Sequence, residues 1–299
     1  MIVIRDTATL REEIKQRRRA ALGADVQVGL VPTMGYLHDG HASLMRAARK
    51  QSDVVVLSIF VNPIQFGPNE DFDSYPRDEE RDLALAEREG VDIVFIPTVE
   101  VMYPGPTKTK IQVSGLTSRL CGASRPGHFD GVTTVVAKLF NLVQPDLAFF
   151  GMKDAQQVAV LQQMVQDLNM PVHIVPCPIV REEDGLALSS RNVYLSEEER
   201  EQALVLSRAL REAESAVTSG TVKQVTDLRR QLEQTIGTSS LALIDYVEIL
   251  TFPGLEPLDE NMLLNTIDQD LIIALAVKFG RTRLIDNIRL QKAEVHAYV

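Results

Sequence analysis

The first 180 residues alternate short apolar runs with segments of helical periodicity. The run at 54–61, VVVLSIFV, is continuous and rich in β-branched residues, which is typical of a strand buried on both faces of a parallel sheet. Predicted strands cover residues 26–31, 54–61, 91–96, 147–150 and 172–175, and predicted helices cover 41–50, 78–89, 132–142 and 154–168. This alternation predicts an α/β fold with a doubly wound, Rossmann-like parallel sheet.

The remaining segments predict less regular structure and a second domain. Thr9 and Glu12 have the spacing of a capping box for an N-terminal helix, and Ser196 and Glu199 have the same spacing further along. The segment 102–131 contains Pro and Gly without long periodic runs and is interpreted as a loop region. After residue 185, the pattern predicts a long helix at 196–217, a helix at 222–236 and strands at 242–250, 271–279 and 282–288. We expect domains at 1–184 and 185–299, the second a smaller α+β domain.

Composition narrows the functional class. A chain of 299 residues with 45% hydrophobic and 24% charged residues can bury a normal core, most simply in two domains. The net charge of −10 argues against nucleic-acid binding and against a polybasic membrane surface. The start, MIVIRDTATLREEI, lacks a signal-peptide pattern, and the two cysteines lack a paired spacing. We therefore expect a cytoplasmic protein that binds neither nucleic acid nor membrane.

The residues after the first predicted strand are the strongest candidates for chemistry, because open parallel sheets bind ligands beyond the carboxyl ends of their strands. Of five histidines, His38 and His41 lie here, in the stretch PTMGYLHDGH. Gly35 and Gly40 allow the backbone to turn close to a ligand. A helix predicted to begin near His41 would direct its free N–H groups toward the same place. The pattern predicts a phosphate site, and a capped turn with exposed histidines is the alternative.

Other strand ends add polar groups. Gln65 lies in the turn NPIQF at 62–66, and an uncharged amide can bind both a hydroxyl and a carboxylate. In GMKDAQQ, Lys153 precedes a predicted helix start and would face phosphate, while Asp154 is a candidate N-cap. In SSRN at 189–192, two hydroxyls and an arginine offer donors for a triphosphate, although this sequence alone is an ordinary polar loop.

These motifs carry a family resemblance. The H-x-G-H at 38–41 is similar to the signature of a nucleotidylyl-transferring superfamily that includes class I aminoacyl-tRNA synthetases. The wider stretch PTMGYLHDGHASL, with NPIQF, SRPGHFDG, GMKDAQQ and SSRN in this order, resembles the pantothenate synthetase family from Pro32 to Asn287. Met152 stands where the commonest family form has Glu, and Leu188 replaces a frequent Met, so the roles of these two side chains stay open.

The resemblance implies ATP, Mg²⁺, (R)-pantoate and β-alanine as participants. It implies a pantoyl-adenylate intermediate, the products pantothenate, AMP and pyrophosphate, a place in vitamin B5 and coenzyme A biosynthesis, and a homodimer. The domain at 1–184 would bind ATP and pantoate, and the domain at 185–299 would act as a lid.

Site roles follow from the same resemblance. It implies catalytic roles for His38, His41, Lys153 and Arg191, a place near the metal for Asp154, and pantoate or β-alanine binding by Asn62, Gln65 and Gln157. Arg125 and His128 are supporting or loop residues. The remaining expected ATP contacts are Met34, Gly35, Tyr36, Leu37, Asp39, Gly40, Gly151, Met152, Val180, Leu188, Ser189 and Ser190.

Three other functions are alternatives for this sequence. The chain could be a nucleotidylyltransferase of the same superfamily that acts on a different small acid or a phosphorylated alcohol. It could be a fragment of an aminoacyl-tRNA synthetase, which the acidic charge disfavours. It could also be a nucleotide sensor without turnover, against which the histidine pair, Lys153 and Arg191 argue.

Overall fold

The computed structural model describes residues 1–20, 25–68, 70 and 72–291. The chain forms two compact units. Residues 1–152 and 160–178 make up the first, and residues 153–159 together with the chain from 179 onward make up the second. The functions assigned above to 1–184 and 185–299 stay a prediction.

A six-stranded, all-parallel sheet is the centre of the first unit. Its strand order is β1-β4-β3-β2-β5-β6. The strands are β1 (Ile2–Ile4), β2 (Val28–Thr33), β3 (Val54–Ile59), β4 (Ile93–Phe95), β5 (Leu147–Gly151) and β6 (His173–Cys177). The predicted doubly wound fold is confirmed. The short strand β1 was missed, because three residues with Ile2 and Val3 exposed give no periodic signal.

The strand order predicts where a ligand binds on this sheet. From β2 the chain steps outward to β3 and β4, then returns to place β5 on the other side of β2, where Gly29 pairs with Leu147. The direction of winding therefore reverses between β2 and β5. In an open parallel sheet, ligands bind beyond the carboxyl ends of the strands at such a reversal, and the His38–His41 turn follows β2.

Within the described residues, seven helices accompany the sheet strands: α1 (Thr7–Ala20), α2 (Asp39–Gln51), α3 (Glu79–Arg88), α4 (Val99–Met102), α5 (Leu120–Ser124), α6 (His128–Val143) and α7 (Ala155–Asp167). The capping box predicted at Thr9 and Glu12 is wrong. Asp6 caps α1 instead, since its Oδ1 accepts hydrogen bonds from the amides of Ala8 and Thr9. The segment predicted as a loop, 102–131, contains the last residue of α4, the whole of α5 and the first turn of α6, and α4 and α5 are too short to show periodicity.

The second unit packs helices on an antiparallel sheet of order β7-β8-β9. The elements are α8 (Glu197–Ala203), α9 (Val205–Thr218), α10 (Val225–Ile236), β7 (Ala242–Phe252), β8 (Asp270–Phe279) and β9 (Thr282–Leu290). The capping box at Ser196 and Glu199 is confirmed. The single long helix predicted after it is wrong, because the amide of Leu204 bonds the carbonyl of Glu201, three residues back, and α9 begins anew at Val205.

Helical periodicity explains the core of the second unit. Helix α10 buries residues at helical spacing, which places them on one face: Val225, Leu228, Leu232 and Ile236. These residues and the buried positions of α9 belong to the same hydrophobic cluster. The central strand β8 is buried from Leu271 to Val277.

Among the helices in the described part of the chain, none is long and apolar enough to cross a membrane.

Candidate active site

The histidine turn caps a helix with its own imidazoles. His38 is the N-cap of α2, and its Nδ1 accepts a hydrogen bond of 3.1 Å from the amide of Gly40. Nδ1 of His41 accepts one of 3.3 Å from the amide of His38. Because both Nδ1 atoms accept, the ring hydrogen of each neutral imidazole is on Nε2. The turn thus combines two Nε2–H donors with the positive end of a helix, which suits an anionic ligand.

A buried carboxylate holds the loop that leads into this turn. Asp82 of α3 is 1% exposed, and its two oxygens accept hydrogen bonds from the amides of Tyr36 (2.8 Å) and Leu37 (2.6 Å). Burial raises the pKa of Asp82, while the two amide donors oppose that rise. Gly35 has a φ of +84°, and a Cβ there would lie 2.9 Å from Ile59 Cγ2 and 3.0 Å from an Asp82 oxygen. The carboxylate therefore fixes an unusual backbone immediately before His38.

Replacing Asp82 by Asn should displace the histidine turn. An amide has one oxygen, so its NH₂ group would face one of the two backbone donors. We expect adenylate formation to fall at least about tenfold, as expected for a small misplacement of catalytic groups, and the protein to lose roughly 1–3 kcal/mol of stability. Glu80→Gln, on the exposed side of the same helix, is the matched control. An Asp82→Asn enzyme with normal rate and stability would show that the carboxylate does not set the turn.

Asp82 also borders a cavity of about 230 Å³ at the carboxyl ends of β2, β3 and β4. Met34, Gly35, Phe60 and Val61 form part of its wall, together with Arg77. Most of this lining is apolar, and the charged groups lie toward α3. The cavity therefore gives the histidine loop a mostly apolar neighbour at Met34 and Gly35.

The predicted acid-binding turn is a single 3₁₀ turn, Pro63–Gln65. The side chain of Gln65 is buried, with its Oε1 accepting from Asn62 Nδ2 (3.1 Å) and its Nε2 donating to Met34 Sδ (3.0 Å). Asn62 is 1% exposed and also donates to the carbonyl of Gly131 (3.1 Å), while its Oδ1 accepts from Tyr103 Oη (2.7 Å). The structure thus engages Asn62 within the protein as a support for the Gln65 amide.

Close packing against α6 completes this turn. A Cβ on Gly131 would lie 2.5 Å from Gln65 Cα and 2.5 Å from the carbonyl oxygen of Ile64, distances that side chains essentially never adopt. Since these are backbone atoms, they cannot move aside as the end of a flexible side chain could. A glycine at 131 therefore lets the first turn of α6 touch the acid-binding turn.

Gly131→Ala should lower the free energy of unfolding by roughly 1–3 kcal/mol, the range for overpacking a dense site. Because the strain falls on Gln65, the apparent affinity for the acid substrate should fall as well. Gly105→Ala is the control, since a Cβ there meets nothing within 4 Å. Equal denaturant midpoints for the two variants would contradict the close contact.

The predicted phosphate residues after β5 belong to the second unit. Met152–Asp154 forms a short 3₁₀ turn ahead of α7, and Lys153 Nζ lies 3.1 Å from Asp154 Oδ2. The carbonyl oxygen of Lys153 accepts a hydrogen bond of 2.9 Å from Asn287 Nδ2 on β9. Gln157 lies in the first turn of α7 and is partly exposed. Strand β9 therefore fixes the backbone of the lysine while its ammonium group pairs with Asp154.

A small hairpin presents the Ser-Ser-Arg motif in the same unit. The amide of Leu188 donates to the carbonyl of Val180 (3.0 Å), and Ser189 Oγ caps the following 3₁₀ turn by accepting from the amide of Arg191. At the base of the hairpin, Arg181 makes a two-bond ion pair with Asp286, which is 3% exposed. The neighbours Asp286 and Asn287 thus anchor both the hairpin and Lys153.

The donor set fits a metal ion only in part. Within residues 1–20, 25–68, 70 and 72–291, no group of three His, Cys, Asp or Glu side chains could hold one. The Asp154 side chain is 50% exposed, and its carboxylate oxygens are of the kind that Mg²⁺ prefers. One exposed carboxylate fits an ion that arrives bound to phosphates, with few ligands from the protein.

Asp82 and Tyr103 support the predicted site from outside the motifs found in the sequence, whereas Asp286 lies in RLIDN at 283–287, the last stretch of the resemblance. Asp82 had a visible signal, since it lies three and four residues before the buried Leu85 and Ala86, on the face that α3 buries. Burial raises the pKa of Tyr103 to about 12, which keeps its hydroxyl protonated as the donor to Asn62. Nothing in the sequence near Tyr103 marks this contact.

Comparison with known proteins gives the family. The sequence model of the family described as pantoate-beta-alanine ligase matches residues 2–289. The pantothenate synthetase of Acetivibrio thermocellus is 59% identical over 261 residues, covering 87% of this chain and 90% of its own length. That of Caldicellulosiruptor bescii is 53% identical over 288 residues, covering 96% of this chain and 98% of its own.

Solved structures agree. The crystal structure of pantothenate synthetase from Thermus thermophilus is 48% identical, with a TM-score of 0.85, and covers 96% of this chain and 99% of its own. That of the pantoate-beta-alanine ligase from Francisella tularensis, complexed with beta-gamma ATP and beta-alanine, is 32% identical, with a TM-score of 0.74, and covers 96% of this chain and 97% of its own. Together with the matched family model, these similarities show that the chain belongs to the pantoate–β-alanine ligase family.

Proposed function

We propose that the chain joins (R)-pantoate to β-alanine at the expense of ATP through a pantoyl adenylate. Family membership makes it a ligase that forms pantothenate. The observation that supports an adenylate route is the His38–His41 turn, where both Nδ1 atoms accept amide hydrogens at the start of α2. That arrangement directs donors at developing negative charge, as the transfer of a nucleotidyl group requires.

The first step is attack of the pantoate carboxylate oxygen on the α-phosphorus of ATP. The new O–P bond forms as the bond to the β-phosphate oxygen breaks, and pyrophosphate leaves. Nε2–H of His38 and of His41 stabilises the charge that grows on the phosphoryl oxygens, and Nε2–H of His41 also donates a hydrogen bond to the leaving pyrophosphate. Lys153, Ser189, Ser190 and Arg191 bind the phosphates.

In the second step, the amine of β-alanine attacks the activated carbonyl, AMP leaves with the electron pair of the acyl–oxygen bond, and the new amide nitrogen releases one proton to the solvent. Gln65 and Gln157 hold the pantoyl group in line, which is a positioning effect. Asn62 acts through Gln65, because its amide and oxygen are engaged by Gln65, Gly131 and Tyr103. No nucleophilic side chain is required. Burial raises the pKa of the Cys177 thiol to about 11, which keeps it unreactive.

Magnesium enters this scheme as part of the substrate, Mg·ATP. Asp154 is the residue that would contact the ion, and the ion would neutralise charge on the phosphate oxygens.

By the same resemblance to the family, we propose a cytoplasmic homodimer that acts in coenzyme A biosynthesis. Sedimentation equilibrium of the purified chain measures the oligomeric state directly.

Exchange of labelled pyrophosphate into ATP tests the adenylate. The exchange requires a reversible adenylate, so it should depend on pantoate and proceed without β-alanine. The control replaces pantoate by acids that lack one of its hydroxyl groups, which should support exchange poorly because a hydrogen-bonding site discriminates strongly against a missing partner. Exchange with another acid but not with pantoate would favour a different nucleotidylyltransferase of the superfamily.

A further inference from the structure

The segment Arg125–Asp130 contacts the acid-binding turn through a chain of polar groups. His128 Nδ1 lies 2.8 Å from the carbonyl oxygen of Gln65, and His128 Nε2 lies 3.1 Å from Arg125 Nη1. Arg125 in turn makes two hydrogen bonds to the Glu70 carboxylate, at 2.7 and 2.5 Å. Glu70, Arg125 and His128 thus form a continuous path that ends on the backbone of Gln65.

The chemistry of the partners fixes the state of the ring. A guanidinium only donates, so His128 Nε2 accepts, and a carbonyl only accepts, so His128 Nδ1 donates. The arrangement therefore uses a neutral imidazole with its hydrogen on Nδ1, the opposite of the tautomer in His38 and His41. Arg125 selects this tautomer because its N–H group occupies the acceptor side of the ring.

The ion pair between Arg125 and Glu70 fixes the far end of this path. The side chains of Arg125 and Glu70 are only 21% and 25% exposed, and Arg125 lowers the pKa of the Glu70 carboxyl, which stays charged at neutral pH. A two-bond pair between arginine and a carboxylate also fixes the plane of the guanidinium. Since Glu70 follows Gln65 by five residues, the same pair ties down the chain beyond the acid-binding turn.

Gln65 is consequently held from two sides. Asn62 fixes the oxygen of its side chain, and His128 fixes the oxygen of its backbone. The backbone carbonyl sets the direction of the Cα–Cβ bond, so it decides where the side-chain amide points. A hydrogen bond to that carbonyl can therefore control ligand binding without touching the ligand.

We propose that His128, oriented by Arg125 and Glu70, is a positioning residue for the acid substrate and acts by fixing the Gln65 backbone. The inference rests on the proposed function in one respect, that Gln65 binds pantoate. It gives the SRPGHFDG motif a role in substrate affinity separate from the ATP residues. Loss of the His128–Gln65 bond should weaken pantoate binding and leave ATP binding unchanged.

Two amide variants of His128 distinguish the role of Nδ1 from the role of Nε2. In His128→Asn, the side-chain NH₂ occupies the place of Nδ1 and can still donate to Gln65. In His128→Gln, the amide reaches the place of Nε2 and keeps only the Arg125 contact. We expect His128→Gln to raise KM for pantoate about 3- to 10-fold, the effect of one hydrogen bond, and His128→Asn to stay within about twofold of the parent chain. KM for ATP should not change in either variant.

Two more variants keep the test decisive. Gln65→Ala tests the proposed function itself, and its pantoate KM should rise more than that of His128→Gln. If Gln65→Ala leaves pantoate KM unchanged, the proposed role of Gln65 is wrong. If Gln65→Ala raises it but His128→Gln does not, the inference about His128 is overturned. Arg125→Met, which frees the ring to change tautomer, should raise pantoate KM by a smaller factor.

A purely structural role is distinguished by the same data. Equal increases in KM for pantoate and for ATP, or equal defects in His128→Asn and His128→Gln, would contradict a specific action on Gln65. Thermal unfolding of each variant shows whether it is folded. Should His128→Gln fail to fold, the comparison of Arg125→Met with the parent chain decides, and an unchanged pantoate KM there overturns the proposal.

Discussion

Replacing His41 by Asn should slow adenylate formation by about 100-fold or more, the scale of losing one donor that stabilises charge in the transition state. The structure explains why this substitution is the informative one. His41 Nδ1 accepts from the amide of His38, and Asn can place its side-chain oxygen at the same position. The helix cap is then retained while the Nε2–H donor is removed, so the loss of rate reports on chemistry and not on the start of α2.

His41→Gln is the matched comparison. Its amide nitrogen reaches the position of Nε2 and can donate a hydrogen bond, so this variant should retain more activity than His41→Asn. The free energy of unfolding of both variants should lie within about 1 kcal/mol of that of the parent chain, which is the usual contribution of one helix cap. Single-turnover formation of adenylate is the measurement. A His41→Asn protein that forms adenylate at the parent rate would contradict the assigned role.

Replacing Lys153 by Met should give the second large effect, also a loss of about 100-fold in adenylate formation. Met has a similar length and shape but no charge. The backbone anchor is retained, because Asn287 bonds the carbonyl of residue 153 and not its side chain. The side chain is 21% exposed and pairs with Asp154, so the ammonium is held close to the predicted metal contact.

Lys153→Arg keeps the charge but changes its shape, and we expect intermediate activity from it, because guanidinium and ammonium bind phosphate with different geometry. Asn287→Leu tests the anchor separately, and it should lower kcat less than Lys153→Met does. Rapid-quench measurement of pyrophosphate release compares all three. A Lys153→Met enzyme with the kcat of Lys153→Arg would show that charge at this position does not stabilise the transition state.

The sheet could be predicted because its strands are short, apolar and regularly separated by helices. Strand β3 is buried from Val54 to Ser58, and its run of apolar residues, interrupted only by Ser58, predicts this burial. The histidine pair could be predicted because it combines scarce residues with two glycines at a strand end. Helix starts were predicted less well. Thr9 and Glu12 matched the capping-box pattern, yet Asp6, three residues earlier, makes the cap.

The supports of the site could not be predicted, because they depend on contacts between distant parts of the chain. Asp82 reaches the backbone at 36–37, and Tyr103 reaches Asn62, across separations of more than 40 residues. Direct binding of the substrate by Asn62 stays a prediction, and the three-dimensional contacts add that its side chain is engaged by Gln65, Gly131 and Tyr103. A polar side chain in a motif can therefore serve the site by holding its neighbour.

The most direct test of the account is the stoichiometry of AMP and pantothenate formed from Mg·ATP, pantoate and β-alanine. We expect equal amounts of the two products when all three substrates are present, and no steady release of AMP when β-alanine or pantoate is left out. Release of AMP without pantothenate, or no reaction with pantoate while another small acid is consumed, would contradict the assignment of the acid substrate.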